Sequence, residues 1–154
     1  LMHFEEFKDG KSWDSDPVNQ WILYQLGQTK AKVKTALDNY RFFEAAQELY
    51  HFFWNDYCDW YLELIKTNID ERKAKKDVTA VVVLEEALRL LHPFMPFVTE
   101  KIWGALPIRD FTKVSIALAA YPEPTNVEGY EKTSSQINSK VISKYYQLRL
   151  FGMV

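Results

Sequence analysis

One segment limits the possible folds of this chain more than any other: residues 52–66, with the order FFWNDYCDWYLELIK. If this segment were helical, its apolar side chains would cover a wider arc than a surface helix needs. Two adjoining faces would then be apolar, with Phe53, Tyr57, Trp60 and Leu64 on one and Trp54, Tyr61 and Ile65 on the other. The segment therefore predicts a central helix that neighbouring elements contact on more than one side.

The remaining arc of this helix is polar and carries Asn55, Asp56 and Asp59. Asp59 and Glu63 are four residues apart and so are neighbours on a helix, and Lys66 lies three residues beyond Glu63 and can pair with it. Two carboxylates could serve acid–base catalysis, or they could form the hydrated surface of the helix. Because no nucleophile, metal-ligand set or phosphate loop is nearby, the surface interpretation is favoured and no catalytic residue is predicted.

The composition fits a single globular domain. The chain has 154 residues, of which 47% are hydrophobic and 26% charged, enough for a packed core. Its net charge is −2, whereas free-standing nucleic-acid-binding domains are usually basic, so contact with nucleic acid would depend on a local patch. The single cysteine, Cys58, excludes an internal disulfide and fits a reducing compartment. No apolar run reaches the roughly 18 to 20 residues of a membrane span.

Two long helices are predicted in the first half of the chain. Ser15 or Asp16 before Pro17 is typical of a helix start, and apolar spacing then predicts a first helix over residues 17–39. After a tight break at residues 39–41, the pattern resumes and predicts a second helix over residues 42–66. Because both helices are amphipathic and their connection is short, they should lie antiparallel.

The second half of the chain predicts shorter elements. A third helix follows the polar connection of residues 67–77 and ends at His92, because the residue before a proline disfavours helical backbone. A short fourth helix follows and is stopped by Pro107. Residues 114–118 alternate in polarity and are predicted to be extended, and residues 135–151 are predicted to form a C-terminal helix.

Together these elements predict an all-α fold, an antiparallel helical bundle. Residues 1–14 would form an N-terminal lead-in, residues 15–107 the bundle, and residues 108–154 a trailing segment with the extended stretch and the last helix.

Motifs for metal, nucleotide or covalent chemistry are missing from the sequence. His3, His51 and His92 form no HExxH motif, and Cys58 has no second cysteine with which to form CxxC. Neither a GxGxxG nor a Walker-type loop is present. No metal or cofactor is therefore expected in this chain, and Cys58 is expected to be buried and inert.

Basic residues near two predicted turns indicate a different kind of site. A cation beside a ring at a loop tip suits an unstacked RNA base, which needs a stacking plane and a phosphate partner. The same residues could also be ordinary solvated surface. The candidate RNA contacts, taken from charge and placement, are Lys30, Lys34, Arg41, Phe42, Arg72, Lys73, Lys75 and Lys76.

Three longer strings resemble a known family: NQWILYQL, YRFFEAAQELYHFFWNDYCDWYLELIK and LRLLHPFMPFVTEKIW. They resemble the anticodon-binding domain of class I aminoacyl-tRNA synthetases, and within that family the valyl members most closely. The family pattern F-W-x-x-F/Y-C-D-W-Y-L-E matches residues 53–63, and LLHPFMPF-(I/V)-TE matches residues 90–100. The resemblance is strong over residues 17–107, includes residues 115–122, and fades beyond about residue 129.

The resemblance implies a role in binding rather than in chemistry. The partner it implies is the anticodon stem-loop of valine tRNA, with no DNA or membrane partner. The parent enzyme would be a cytoplasmic ligase that uses ATP to attach valine to that tRNA. The family's HIGH and KMSKS motifs are absent here, so this chain alone should be inactive, and ATP would bind a catalytic domain elsewhere in the same polypeptide. Part of the family's RNA-reading surface lies on a helix that would precede Leu1.

A different class of function fits the same aromatic content. An all-α protein-interaction or scaffold module would dock its wide aromatic arc on another protein and make no direct RNA contact. Steep salt dependence of binding would favour RNA, whereas salt-insensitive binding through Trp54, Trp60 or Trp103 would favour a protein partner.

Overall fold

The computed structural model describes residues 16–66, 69–70, 78–106 and 115–124. Several predictions concern residues outside these ranges: the lead-in of residues 1–14, the C-terminal helix of residues 135–151, and most of the connection between the second and third helices. The predicted boundary at residues 107–108 lies outside the described residues as well.

Helix α1 (Pro17–Asp38) begins as the sequence predicts. The side chain of Asp16 caps it, because the backbone N–H of Val18 donates to Asp16 Oδ1 at 2.8 Å. Pro17 occupies the first turn, where its missing N–H costs nothing. The inward face of the helix is apolar and includes the buried side chains of Trp21, Ile22, Leu26 and Val33.

The second helix runs from residue 42 to residue 66, as predicted, but in three parts. They are α2 (Phe42–His51), a π-helical segment (Phe52–Tyr61) and α3 (Leu62–Lys66). At the end of the π-helical segment the N–H of residue 62 donates to the carbonyl five residues back, whereas an α-helix bonds four back.

The π-helical segment changes which side chains face the core. Phe52, Tyr57 and Tyr61 are buried, and they are spaced by five and four residues, as a wider helical turn requires. Trp54 is 49% exposed. The predicted central helix is thus confirmed, but its predicted faces, which assumed α-helical spacing, are wrong at Trp54 and omit Phe52.

Two buried hydroxyls attach the π-helical segment to its neighbours. Tyr61 Oη donates to Asn19 Oδ1 on α1 at 3.0 Å, and Tyr57 Oη donates to the carbonyl of Ala80 at 2.9 Å. Burial raises the pKa of Tyr57 well above its ordinary value, so this phenol stays a donor. The segment therefore packs on α1 on one side and on the start of the next helix on the other.

Helix α4 (Thr79–Leu91) stops just before Pro93, as predicted, with His92 as its C-cap, and α5 (Pro96–Trp103) follows after a short turn. The buried residues of α5 are Thr99 and Trp103. Val98 and Ile102, the apolar positions that predicted this helix, lie 49% and 37% exposed. The helix is confirmed, but each residue that faces the core lies one position after the predicted one.

A second, smaller core joins α4 and α5 to the trailing segment. Its buried members are Leu88, Trp103, Leu106 and Ile116. Residues 116–118 form one turn of 3-10 helix rather than the predicted extended stretch. The cause is local, because the Ser115 side chain accepts from the N–H of residue 117 and closes the turn.

The architecture is an all-α bundle, as predicted, and no β-strand occurs among the described residues. The main core lies between α1, the second helix and α4, and includes Leu49, Leu64, Val83 and Leu90. None of the helices in the described ranges is long and apolar enough to cross a membrane.

Candidate nucleic-acid interface

The turn between α1 and α2 closes the first helix with a Schellman motif. The N–H of Tyr40 donates to the carbonyl of Leu37 at 2.9 Å, and the N–H of Arg41 donates to that of Ala36 at 2.8 Å. The motif needs a left-handed residue after the cap, and here that residue is Tyr40, with φ of 57°. Glycine is usual at this position, because a side chain there costs about 1–2 kcal/mol.

The strained residue does not contribute its ring to the core. Tyr40 is 81% exposed, and its ring meets that of Phe42 edge-on, with centroids 6.4 Å apart. Phe43 is 76% exposed beside them. We call Tyr40, Arg41, Phe42 and Phe43 the aromatic tip. Strain without a packing benefit is typical of a functional position.

Arg41 supplies the positive charge of the aromatic tip. Its Nη1 atom lies 2.8 Å from Glu44 Oε2, and both side chains are about half exposed. Such exposed pairs are held weakly, so a phosphate can take the place of the carboxylate. The tip thus combines three exposed rings with an exchangeable guanidinium, as stacking of an unpaired base beside its phosphate requires.

A groove of about 410 Å³ begins at the aromatic tip and runs between α1 and α2. Across it, Lys32 Nζ pairs with Glu48 Oε2 at 3.0 Å, and both side chains are exposed. The groove is lined by small side chains of α1, by polar side chains of both helices and by Arg41: Ala31, Lys32, Thr35, Ala36, Arg41, Glu44, Gln47 and Glu48.

The structure brings together only part of the predicted RNA contacts. Arg41 and Phe42 share the aromatic tip, and Lys34 lies on the last turns of α1, exposed and paired with Asp38 at 3.1 Å. Lys30 is 5% exposed and pairs with Glu86 at 2.8 Å, so a contact with RNA would require that pair to open. The remaining four candidates, Arg72, Lys73, Lys75 and Lys76, lie outside the described residues, and all eight roles stay predictions.

Sequence reasoning missed several residues of this site. The sequence pattern places Tyr40 only in a helix break, because a left-handed non-glycine residue has no signal in the sequence. Phe43 adjoins the predicted Arg41 and Phe42, and only its exposure marks it out. The groove residues on α2 repeat at positions 44, 47 and 48, a spacing that puts them on one helix face, but the sequence does not show that α1 leaves a gap there.

The other titratable groups offer no catalytic arrangement. Cys58 is half-buried rather than buried, and burial, followed by the charge of Asp59, raises the pKa of its thiol, which fits the predicted inert role. Glu63 pairs with Lys66, as predicted. Across the described part of the chain, no group of three or more histidine, cysteine, aspartate or glutamate side chains could hold a metal ion.

Comparison with known proteins places this site in context. Residues 19–150 match the sequence pattern of the family described as "Anticodon-binding domain of tRNA ligase". The chain is 39% identical to a valine–tRNA ligase of Aquifex aeolicus over 86% of its own length, and 43% identical to that of Thermotoga maritima over 80%. Over 58% of its length it is 53% identical to the valine–tRNA ligase of Nitratidesulfovibrio vulgaris. The match covers 13%, 14% and 10% of these relatives.

Proposed function

We propose that this chain, which belongs to the family of anticodon-binding domains of tRNA ligases, binds the anticodon arm of valine tRNA. The observation that carries the proposal is the family match over residues 19–150, a range that contains the whole aromatic tip. The choice of valine tRNA comes from the names of the relatives, since all three compared above are valine–tRNA ligases. The same match favours RNA binding over the alternative of a protein-interaction module.

The aromatic tip supports this role through its chemistry. Unpaired anticodon bases expose their flat faces, and aromatic side chains such as Tyr40 and Phe42 stack on them. Arg41 meets the backbone phosphate between two bases, where charge gives affinity but no sequence information. Lys34, near the end of α1, can move from Asp38 to a second phosphate, because both side chains of that ion pair are exposed.

The wider role of the chain follows from the relatives it resembles. The matched part spans about one seventh of the Aquifex aeolicus and Thermotoga maritima ligases compared above. We propose that it acts within a cytoplasmic ligase that uses ATP to attach valine to the bound tRNA, with the catalytic domain elsewhere in the same polypeptide. On this proposal the chain alone is inactive and serves to hold the anticodon arm in place.

One exposed apolar surface suits contact with the rest of such a polypeptide. Met95, Phe97, Val98 and Ile102 lie on or next to α5 and are 51%, 91%, 49% and 37% exposed. A contiguous apolar surface on a helix is typical of an interaction site. Because the relatives are about seven times longer than the matched part, we propose that another domain of the same polypeptide covers this α5 surface.

The experiment that tests the RNA proposal measures binding of a labelled anticodon stem-loop by fluorescence anisotropy across a salt series. The native valine loop is compared with a loop of scrambled anticodon on the same stem. We expect tighter binding of the native loop, and affinity that falls with salt by roughly 0.7 in log–log slope for each phosphate neutralised. Arg41→Ala should weaken binding to both loops and lower the slope by about one phosphate.

Lys66→Ala is the matched control, because Lys66 is an exposed cation paired with Glu63 on α3, away from the aromatic tip. It should leave affinity and slope unchanged. Equal binding of both loops, or no binding by a chain whose circular dichroism shows it folded, would contradict the proposal.

A further inference from the structure

We propose that Glu44 and Glu48 are specificity-determining residues that keep double-helical RNA off the end of the bundle, so that only RNA with unpaired bases binds at the aromatic tip. The two carboxylates act through their charge and contact no base. This inference rests on the proposed function, because it concerns the RNA that the same end of the bundle would bind.

The charges around the aromatic tip are balanced. Residues 32–48 contain three basic and three acidic side chains, and the structure pairs each basic one with an acidic one. RNA-binding surfaces usually carry an excess of positive charge, which attracts phosphates from a distance. Residues 32–48 have no such excess, so a phosphate gains a cation here only by replacing a carboxylate. The pairs are Lys32 with Glu48 at 3.0 Å, Lys34 with Asp38 at 3.1 Å and Arg41 with Glu44 at 2.8 Å.

Two of these pairs lie in the groove between α1 and α2, where Lys32, Arg41, Glu44 and Glu48 are all part of the lining. All four side chains are between 39% and 58% exposed. Exposed pairs are held weakly, so a phosphate can displace either carboxylate. The displaced carboxylate nevertheless remains close to the cation and repels the phosphate. Each phosphate bound in the groove therefore meets an attraction and a repulsion together.

Unpaired bases compensate for this repulsion at the aromatic tip. The rings of Tyr40, Phe42 and Phe43 are 81%, 58% and 76% exposed, and unstacked bases gain free energy by stacking on such rings. A loop is also flexible, so it can place one phosphate at Arg41 while its other phosphates avoid the carboxylates. Stacking therefore makes binding of a loop favourable overall.

Double-helical RNA lacks this compensation. Its bases are already stacked on one another, and it offers a protein mainly phosphates and 2′-hydroxyl groups. Two strands concentrate more negative charge than one, and their phosphates are held in a rigid array. A double helix that reaches Arg41 or Lys32 thus brings several phosphates near Glu44 and Glu48. Groups that penalise a wrong partner in this way are a usual source of specificity.

The two ion pairs contribute little to folding, because exposed pairs stabilise proteins by at most about 1 kcal/mol. Glutamine has nearly the size of glutamate and can still accept hydrogen bonds through its carbonyl oxygen. The double variant Glu44→Gln with Glu48→Gln therefore removes two negative charges from the groove and leaves both helices in place, which circular dichroism checks.

Fluorescence anisotropy at one salt concentration compares the binding of two labelled RNAs. One is the valine anticodon stem-loop, and the other is a blunt RNA duplex with the same number of phosphates and no loop. We expect the wild-type chain to bind the stem-loop at least about tenfold more tightly than the duplex. The double variant should bind the duplex about tenfold more tightly than the wild type does, whereas its affinity for the stem-loop should rise less than about threefold.

The control makes the same change in net charge at another place. Asp59→Asn with Glu63→Gln also removes two negative charges, near the C-terminal end of the second helix, and it also frees a cation, because Glu63 pairs with Lys66. This control should leave the preference for the stem-loop as it is in the wild type.

Three outcomes would overturn the inference. If the wild type binds the duplex as tightly as the stem-loop, or if the double variant keeps the wild-type preference, the two carboxylates exclude nothing. If the control lowers the preference as much as the double variant does, general charge and not the groove is responsible. In all three cases the proposed function stands as long as the native loop binds more tightly than the scrambled one. If no stem-loop binds to the folded chain, the proposed function fails and the inference fails with it.

Discussion

Tyr40 occupies a left-handed backbone position that glycine adopts at lower cost, and its exposed ring makes little contact in return. We expect Tyr40→Gly to raise the free energy of unfolding by about 1 kcal/mol, because the strain of a side chain at positive φ is removed. We also expect it to weaken binding of the anticodon stem-loop, because stacking on the ring is lost. Urea denaturation and anisotropy measure the two effects.

Tyr40→Ala separates strain from stacking. Alanine keeps a side chain at positive φ and removes the ring, so binding should weaken as in the glycine variant without the gain in stability. A glycine variant that is less stable than the wild type would show that the ring of Tyr40 contributes to folding, contrary to this account.

Asp56 is a second residue whose position has a measurable consequence. Burial raises the pKa of its carboxyl, and opposing contributions from His51, Gln25 and Lys32 reduce the shift, while Glu48 adds to it. A raised folded-state pKa means that the native state holds the proton more tightly than the unfolded chain. This contribution to stability is therefore present below the ordinary aspartate pKa and is lost as pH rises through the folded pKa.

Asp56→Asn should consequently stabilise the chain at neutral pH and have little effect below about pH 3.5. Urea denaturation of both proteins across pH measures this difference. His51 lies 3.8 Å from Asp56 and lowers the pKa of that carboxyl, so the gain from Asp56→Asn should be larger in a chain that also carries His51→Gln. A variant that loses stability at neutral pH would show that the charged form of Asp56 is the favoured one.

At the scale of elements, a buried polar cluster fixes the short α5 to the rest of the bundle. Glu85 Oε2 accepts from Arg89 Nη2 at 2.9 Å, and Glu85 Oε1 accepts from the indole N–H of Trp103 at 3.0 Å. Arg89 Nη1 also donates to the carbonyl of Ala120 at 2.8 Å. One carboxylate thus connects α4 to α5 directly and to the trailing segment through Arg89.

Glu85→Ala should lower the free energy of unfolding by about 3 kcal/mol, since it leaves the charge of Arg89 buried beside an empty site. Glu63→Ala removes an exposed pair with Lys66 instead and should cost less than about 1 kcal/mol. Urea denaturation measures both. Similar losses for the two variants would show that the cluster around Glu85 contributes no more than a surface ion pair.

The sequence predicts the helices of this bundle better than their faces. Apolar spacing and the capping residues Asp16 and Pro17 define α1, and His92 before Pro93 ends α4, because these signals are local. The π-helical segment could not be predicted from the same spacing, since bonding five residues back depends on how Tyr57 and Tyr61 reach neighbouring helices. The 3-10 turn at residues 116–118 likewise depends on a single side-chain bond.

In the candidate site, too, local sequence signals predict some residues, whereas others depend on tertiary contacts. Arg41 and Phe42 were predicted because a cation and a ring adjoin a visible helix break. The burial of Lys30 could not be predicted from the sequence, because its partner Glu86 lies 56 residues away along the chain. The groove needs the packing of α1 against α2 before its lining residues face one another, and no local pattern shows that.

At the scale of the whole molecule, the exposed α5 surface should affect how the chain behaves in solution. When residues 1–154 are studied alone, Phe97 and Ile102 are exposed, so copies of the chain should associate through them. Sedimentation velocity should show reversible association that increases with concentration, and Phe97→Ser with Ile102→Ser should return the chain to a monomer. The control, Tyr50→Ser, removes an exposed ring on α2 and should leave association unchanged. A wild-type chain that stays monomeric at high concentration would contradict this expectation.

The central claim is that RNA binds at the end of the bundle where α1 meets α2. Amide chemical-shift mapping by NMR tests it most directly, because it locates the bound RNA without any substitution. Titration with the valine anticodon stem-loop should shift the amides of residues 32–48 most and leave those of α5, including Phe97 and Trp103, almost unmoved. Shifts centred on α5, or spread evenly over the bundle, would contradict the account.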